Sequence, residues 1–264
     1  MRKNISPDSL ARDSRFCRIS TVTRFTDRRS TGEERRVSPE VIDADLRANR
    51  VMHGIFVGEI QALEGAGRTC FDFETGSGAS EVPFELKLDM ARQCWDEARH
   101  CEISVRLAAH MGSEVGDYSE ATTLFEAACH PDPVFRLAGV NRALEGLAID
   151  VFTGMREFGA AMDDPVLEFC EDWMLADEVT HVRMGSRWLR EVTAKDPDRR
   201  AQALEFQRTV DGLFNFRGVR SEEEDAPIRL ARKFRMMAGF TSEEVDDIAA
   251  EAELQRLASL ATTH

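Results

Sequence analysis

Hydrophobic residues recur along most of the chain at spacings of three and four, the period of an amphipathic helix. In the segment around residue 60, Met52, Phe56, Leu63 and Ala66 fall on one stripe, and a similar apolar stripe runs from 167 to 192. The strict alternation of a half-buried strand is not sustained anywhere beyond about residue 40. The pattern therefore predicts an all-α protein.

Proline positions divide this helical pattern into segments, because proline cannot be accommodated inside a regular helix. None of the eight prolines interrupts the long periodic segments, which are rich in good helix formers. Four long helices are predicted, at 41–74, 84–111, 134–161 and 165–194. Shorter helices are predicted at about 119–128, 198–216, 227–238 and 242–260. We therefore expect an N-terminal arm at 1–40, a four-helix bundle at 41–194 and a C-terminal helical extension at 195–264 that packs on the bundle.

The charge balance excludes several classes of partner. The formal net charge is −14, from 34 basic and 48 acidic residues, and so acidic a chain is a poor general ligand for nucleic acid or anionic membranes. No apolar run approaches the roughly 18 residues of a membrane span. The first residues show no apolar segment typical of a secretory signal. We expect a cytoplasmic protein.

Two of the six histidines lie in near-identical pentapeptides, Asp-Glu-Ala-Arg-His ending at His100 and Asp-Glu-Val-Thr-His ending at His181. In each, a glutamate (Glu97 or Glu178) precedes the histidine by three residues, so that carboxylate and imidazole share one helix face and can bind the same metal ion. A single Glu-x-x-His is more often a surface charge pair. Two matching copies, each near the middle of a different predicted long helix, indicate a metal site deep in a bundle.

The other two long helices each offer a glutamate. Glu145 has apolar neighbours at helical spacing. On the first helix, Glu59 and Glu64 lie about 140° apart around the axis, so only one of them can point inward. Apolar neighbours favour Glu59, whereas spacing favours Glu64: it precedes Glu97 by 33 residues, as Glu145 precedes Glu178, while Glu59 precedes Glu97 by 38. We take Glu59 as the predicted ligand and keep Glu64 as the alternative.

The resulting set contains four inward carboxylates, which an apolar core tolerates only if they are paired or neutralised. Two divalent cations would balance them, and mixed oxygen and nitrogen ligands suit iron or manganese. Carboxylate-bridged di-metal bundles use such a set. Asp96 and Asp177 can each accept a hydrogen bond from the free nitrogen of a ligand histidine across the bundle. The predicted ligands are Glu59, Glu97, His100, Glu145, Glu178 and His181.

The segment 53–64, which contains Glu59, resembles the first-helix signature of the ferritin-like superfamily, and more narrowly that of a bacterial ferritin-like family of unknown function, number 455. The two Asp-Glu-x-x-His motifs, the Leu-Glu-Gly at 144–146, the Gly-Asp-Tyr at 116–118 and the Ala-Gly-Phe-Thr at 238–241 are also similar to that family. The resemblance covers about residues 45–250. It departs at Gly58, where the family usually carries a second histidine, and in a longer first loop. It implies a ferritin-like bundle with a di-metal centre.

Such a centre leaves coordination positions open for dioxygen or peroxide. The leading expectation is an O2-dependent oxidoreductase that uses two iron ions to hydroxylate or N-oxygenate a small molecule, with manganese or a mixed pair as the alternative metals. No rubredoxin-like Cys-x-x-Cys is present, and no G-x-G-x-x-G follows a strand, so we expect an external electron donor, a ferredoxin or a flavin reductase. A homodimer is compatible with the sequence. The alternatives are an iron-handling or peroxide-detoxifying protein without an organic substrate, and a bundle that only binds a partner.

Overall fold

The protein is described by a computed structural model over residues 44–76, 78, 81–118, 122–213 and 230–261. The predicted all-α class is confirmed: in this part of the chain the only strand-like pairing is a single bridge between Thr75 and Val82. The predicted arm at 1–40 lies outside the described residues. The helices are α1 Ala44–Asp72, α2 Phe84–His110, α3 Thr123–Ala128, α4 Pro133–Ala138, α5 Glu145–Ala161, α6 Pro165–Val192, α7 Pro197–Leu213, α8 Arg232–Met237 and α9 Ser242–Ala261.

Three predicted helices differ from the observed ones. The helix predicted at about 119–128 begins only at Thr123, with 119–121 outside the described residues. The segment 134–161, predicted as one α-helix, is divided by a π-helical turn, Gly139–Leu144, between α4 and α5. Helix α8 is shorter than the predicted 227–238, of which 227–229 lie outside the described residues. Its start is set by Ala231, whose N–H donates to Asp150 Oδ1 at 2.8 Å instead of to a helical carbonyl. The start of α8 thus depends on a tertiary contact that local sequence does not contain.

The long helices form two antiparallel hairpins. Helices α1 and α2 make one hairpin, and the other consists of α5 and α6. A tight turn with the cap residue Asp164 starts α6: its carboxylate accepts hydrogen bonds from the backbone N–H groups of Val166 and Leu167, and Pro165 occupies the first helical turn. The hairpins pack against each other through α2 and α6, which also run antiparallel.

Helices α2 and α6 each present one inward row of residues at alternating spacings of four and three, and every member is buried. This is the seven-residue repeat of closely packed, nearly parallel or antiparallel helices. The α2 row consists of Leu86, Met90, Gln93, Glu97, His100, Ser104 and Leu107. The α6 row consists of Leu167, Glu171, Met174, Glu178, His181, Gly185 and Trp188. The ends of both rows are mainly apolar, and their centres are polar.

The C-terminal helices contact the bundle through buried arginines. Arg235 of α8 is fully buried, and its Nε donates to both carboxylate oxygens of Asp150 on α5, at 3.1 and 3.0 Å. Arg142, in the π-helical turn, donates to Gln207 of α7 at 2.8 Å and to Ser186 of α6 at 2.6 Å. These contacts fix the described part of the C-terminal segment to the hairpin that carries Glu145. None of the described helices is both long enough and apolar enough to cross a membrane.

Candidate metal centre

The structure brings all six predicted ligands together in the core. They form two overlapping groups of four, and within each group one ligand atom from every residue lies within 4.8 Å of the others. Glu97 and Glu178 belong to both groups. The first group is Glu59, Glu97, His100 and Glu178, and the second is Glu97, Glu145, Glu178 and His181. Two helices thus each supply one carboxylate, and the two others each supply a Glu-x-x-His pair.

His100 turns its Nδ1 atom towards the first group. This nitrogen lies 3.1 Å from Glu59 Oε2, 3.2 Å from Glu97 Oε2 and 3.1 Å from Glu178 Oε1. Its Nε2 atom points the other way and lies 3.3 Å from Asp177 Oδ2. With Asp177 placed to accept the Nε2 proton, Nδ1 is the nitrogen that faces the carboxylates, and its lone pair would be available to a metal ion bound there.

His181 repeats this arrangement in the second group. Its Nδ1 atom lies 3.2 Å from Glu97 Oε1, 3.6 Å from Glu178 Oε1 and 4.0 Å from Glu145 Oε2. Its Nε2 atom lies 3.2 Å from Asp96 Oδ2. The predicted contacts across the bundle are therefore present: the aspartate of each pentapeptide contacts the histidine of the other.

Two arginines hold the aspartates in place. Arg92 donates to Asp96 at 3.2 Å, and Arg99 contacts Asp96 and also donates to Asp177 at 3.3 Å. Burial raises the pKa of Asp96, but its contacts with His181 and Arg99 outweigh burial and lower the pKa below its ordinary value. Asp96 consequently stays ionised at neutral pH and acts as a hydrogen-bond acceptor for the histidine.

An amide pair closes one side of the cluster. Gln93 Nε2 donates to Glu145 Oε1 at 2.6 Å and to Glu97 Oε1 at 3.1 Å, and Asn141 donates to Gln93 Oε1 at 2.5 Å. Asn141 fits because the facing residue is Gly185, where an added Cβ would lie 2.4 Å from Asn141 Cβ. The amides fix the carboxylate orientations on this side without adding charge.

The pKa values of the clustered glutamates and histidines are shifted by burial and by the negative charges that lie close together. Burial, together with the neighbouring carboxylates, raises the pKa of Glu59 and of Glu145 well above the ordinary value. Burial also acts to raise the pKa of Glu97, but the two histidines reverse the effect and hold it well below the ordinary value. Burial alone would lower the pKa of His181, whereas the carboxylates raise it strongly. The carboxylates therefore favour a positive charge among them, which protonated histidines or bound cations can supply.

The donor set fits a pair of metal ions. Glu97 Oε2, both carboxylate oxygens of Glu178 and His181 Nδ1 are buried and make no well-aligned hydrogen bond within the described residues. Unsatisfied buried polar atoms are rare in folded proteins and call for a partner such as a bound ion. Two divalent cations would satisfy these atoms and balance the four carboxylates.

The remaining sequence candidates lie outside both groups. Glu64 is half-buried and is in neither group, so the structure places Glu59 and not Glu64 in the cluster. His53 is buried and accepts a hydrogen bond from the backbone N–H of Gly116 at 2.8 Å. The other two described histidines have partners elsewhere: His110 Nε2 lies 2.8 Å from Asp164, and the His130 ring stacks on Phe135.

Several polar residues of the core were not found by sequence reasoning. Gln93, Asn141, Ser104 and Glu171 are all buried, although none of them lies in a motif. A usable signal existed for all of them: Gln93 and Asn141 each precede a predicted ligand glutamate by four residues, and Ser104 and Glu171 each lie seven residues from one on the same helix. Seven residues are close to two full helical turns, so both share the inward face.

These features define the class of the protein as an all-helical protein whose buried glutamate–histidine cluster can hold metal. The chain belongs to the family described as "Protein of unknown function (DUF455)", which it matches over residues 20–246. The resemblance noted from the first-helix signature and the paired motifs is thereby confirmed for this family. No curated protein and no solved structure matched the chain.

Proposed function

We propose that the protein is a non-haem di-iron or di-manganese carboxylate protein with a ferritin-like bundle, and that it acts as an O2-dependent oxidoreductase on a small molecule. The observation that carries this proposal is the pair of overlapping four-residue groups that share Glu97 and Glu178. Sharing two carboxylates between neighbouring groups is the property that allows two ions to be bridged. A single structural ion would need only one such group.

The ligand types favour iron or manganese over other metals. Each group offers three carboxylates and one imidazole nitrogen, whereas structural zinc sites are dominated by thiolate and imidazole, and magnesium retains most of its water. The distribution over four helices is that of di-iron and di-manganese bundles, with one glutamate from each of two helices and a Glu-x-x-His pair from each of the other two.

The chain's own groups would prepare the centre for its task. A pair of iron ions supplies two-electron chemistry with dioxygen. Asp96 and Asp177 hold the histidines in one tautomer, and Gln93 orients Glu145. Phe152 is fully buried, and its ring lies edge-on to His100 with centroids 6.2 Å apart, which excludes water beside that ligand. Electrons would come from an external ferredoxin or flavin reductase.

Metal analysis of the purified full-length protein tests the proposal. We expect about two iron ions per chain after anaerobic loading with Fe(II), and a transient absorption band between 300 and 400 nm after oxygen is added. Many irons per chain would indicate iron storage instead, and two irons without any response to oxygen would exclude the oxidoreductase. A chain that binds no iron or manganese would refute the metal centre itself.

The histidines provide a matched set of variants. His100→Ala and His181→Ala each remove one nitrogen ligand, and each is expected to lower bound metal to about one ion per chain or less. His110→Ala serves as the control, because His110 pairs with Asp164 and lies in neither group. Wild-type metal content in both ligand variants would contradict the assignment of the site.

A further inference from the structure

A second set of polar side chains lies in the core, at a level seven residues along the helices from Glu97 and Glu178, the two glutamates that both groups share. Ser104 follows Glu97 by seven residues in the α2 row, and Glu171 precedes Glu178 by seven residues in the α6 row. Because the two helices run antiparallel, both steps lead in the same direction, by about 10 Å along the bundle axis. Ser104 and Glu171 therefore stand at one level, on the side of the cluster where His100 lies.

The polar atoms of this level have no partner in the described part of the chain. Both side chains are completely buried, and neither Ser104 Oγ nor either carboxylate oxygen of Glu171 makes a hydrogen bond there. Burial raises the pKa of Glu171 to about 8, although the positive charge of His100 acts to lower it. Burying a carboxyl group without a hydrogen-bond partner is costly, so its presence calls for a function or a ligand.

The corresponding positions on the opposite side of the cluster do not carry such unpaired polar groups. Aligning the two pentapeptides in sequence pairs Glu171 of α6 with Met90 of α2, and Ser104 of α2 with Gly185 of α6. On that side, the carboxyl group is replaced by a thioether, and the hydroxyl group is absent. Unsatisfied polar groups thus occur beside only one end of the cluster among these related positions.

The other two helices contribute apolar walls to the level of Ser104 and Glu171. Met52 of α1 precedes Glu59 by seven residues, and Phe152 of α5 follows Glu145 by seven. Both are fully buried. The level therefore combines a carboxyl group and a hydroxyl group with a thioether and an aromatic ring. This combination suits a ligand that has one polar, hydrogen-bond-donating end and an apolar body.

We propose that this level binds the ammonium group of a small aliphatic amine, whose carbon chain extends towards the cluster. The proposal rests on the proposed function, since it names the substrate class of that site. An ammonium group donates up to three hydrogen bonds, which the Glu171 carboxylate and the Ser104 hydroxyl can accept. Its positive charge would also stabilise the ionised form of the Glu171 carboxyl group, which burial otherwise disfavours.

Binding of n-pentylamine to the full-length, manganese-loaded protein tests this inference, with 1-pentanol as the neutral probe of similar shape. We expect the amine to raise the melting temperature and to give a saturable calorimetric binding curve, and pentanol to do neither. Glu171→Gln keeps the size of the side chain but cannot carry the charge, so it is expected to weaken amine binding by roughly tenfold or more. Ser104→Ala is expected to weaken it less.

Glu168→Gln is the matched control, since Glu168 lies on the same helix and is exposed; its affinity for the amine should equal that of wild type. Equal binding of amine and pentanol, or undiminished amine binding by Glu171→Gln, would overturn the inference. Metal content is measured first in every sample. Failure of the protein to bind metal would refute the proposed function. Failure of the metal-loaded protein to bind the amine would refute only the substrate class.

Discussion

The choice between Glu59 and Glu64 is the sharpest test of the metal centre. Glu59→Gln replaces one carboxylate of the first group and leaves the second group of Glu97, Glu145, Glu178 and His181 complete. The loss should therefore be confined to one ion, and bound metal should fall from about two per chain towards one. Glu64→Gln changes a half-buried glutamate on the same helix that belongs to neither group, so its metal content should remain that of wild type.

The thermal stability of the same two variants gives a second test of the choice between Glu59 and Glu64. An ion present at about 1,000 times its dissociation constant stabilises the folded state by about 4 kcal/mol. Metal-loaded Glu59→Gln should lose stabilisation of this order relative to wild type, and Glu64→Gln should not. Metal analysis and thermal unfolding, each with and without a chelator, measure both effects. If Glu64→Gln lost an ion while Glu59→Gln kept two, the reasoning from burial would be refuted.

Three further outcomes are expected. Asp96→Asn removes the charged acceptor of a ligand histidine and should weaken metal binding about 10- to 100-fold in a competition titration; unchanged affinity would mean that this contact is only structural. Burial raises the pKa of Glu171 to about 8, so in the metal-free protein the folded state keeps this proton at pH values where the unfolded chain has released it. Relative to Glu171→Gln, wild type should therefore lose about 1.4 kcal/mol of stability per pH unit between about pH 4.5 and 8. If urea unfolding gave the same pH dependence of stability for both proteins, the burial of Glu171 would be contradicted. Arg235→Ala leaves the carboxylate of Asp150 buried without its charged partner and should cost about 3–5 kcal/mol in the free energy of unfolding. Arg232→Ala, at an exposed ion pair with Asp246, should change the free energy of unfolding far less; similar losses in both would argue against the buried ion pair.

The long helices and the two Glu-x-x-His pairs could be predicted because their signals are local. The period of three and four residues gave α2 and α6 nearly to their observed ends, and a three-residue separation within a helix fixes which side chains share a face. The choice between Glu59 and Glu64 was less secure, because residue spacing and apolar neighbours disagreed. The structure places Glu59 in the cluster, which shows that burial was the better guide than loop length in this hairpin.

The remaining features depend on contacts between distant residues. Gln93 and Asn141 are 48 positions apart and become a pair only when two hairpins pack together. The same holds for Asp150 and Arg235, which are 85 positions apart. Glu171 was missed for a different reason: an isolated glutamate in a helix is usually exposed. Its seven-residue distance from Glu178 has meaning only after the inward face of the helix is known.

The π-helical turn Gly139–Leu144 has a consequence for how this protein can change. Such a turn holds one residue more than a regular α-helix needs for the same rotation, so the residues after it lie about 100° behind the positions that uninterrupted α-helical counting gives. Glu145 is the first residue after the turn, and its direction is therefore set by the length of the chain there as much as by its identity. Removing one residue between 139 and 144 would let the segment close into regular α-helix with Glu145 still on the inward face, whereas inserting a residue would turn that carboxylate away from the cluster. The turn should therefore tolerate a single deletion better than an insertion.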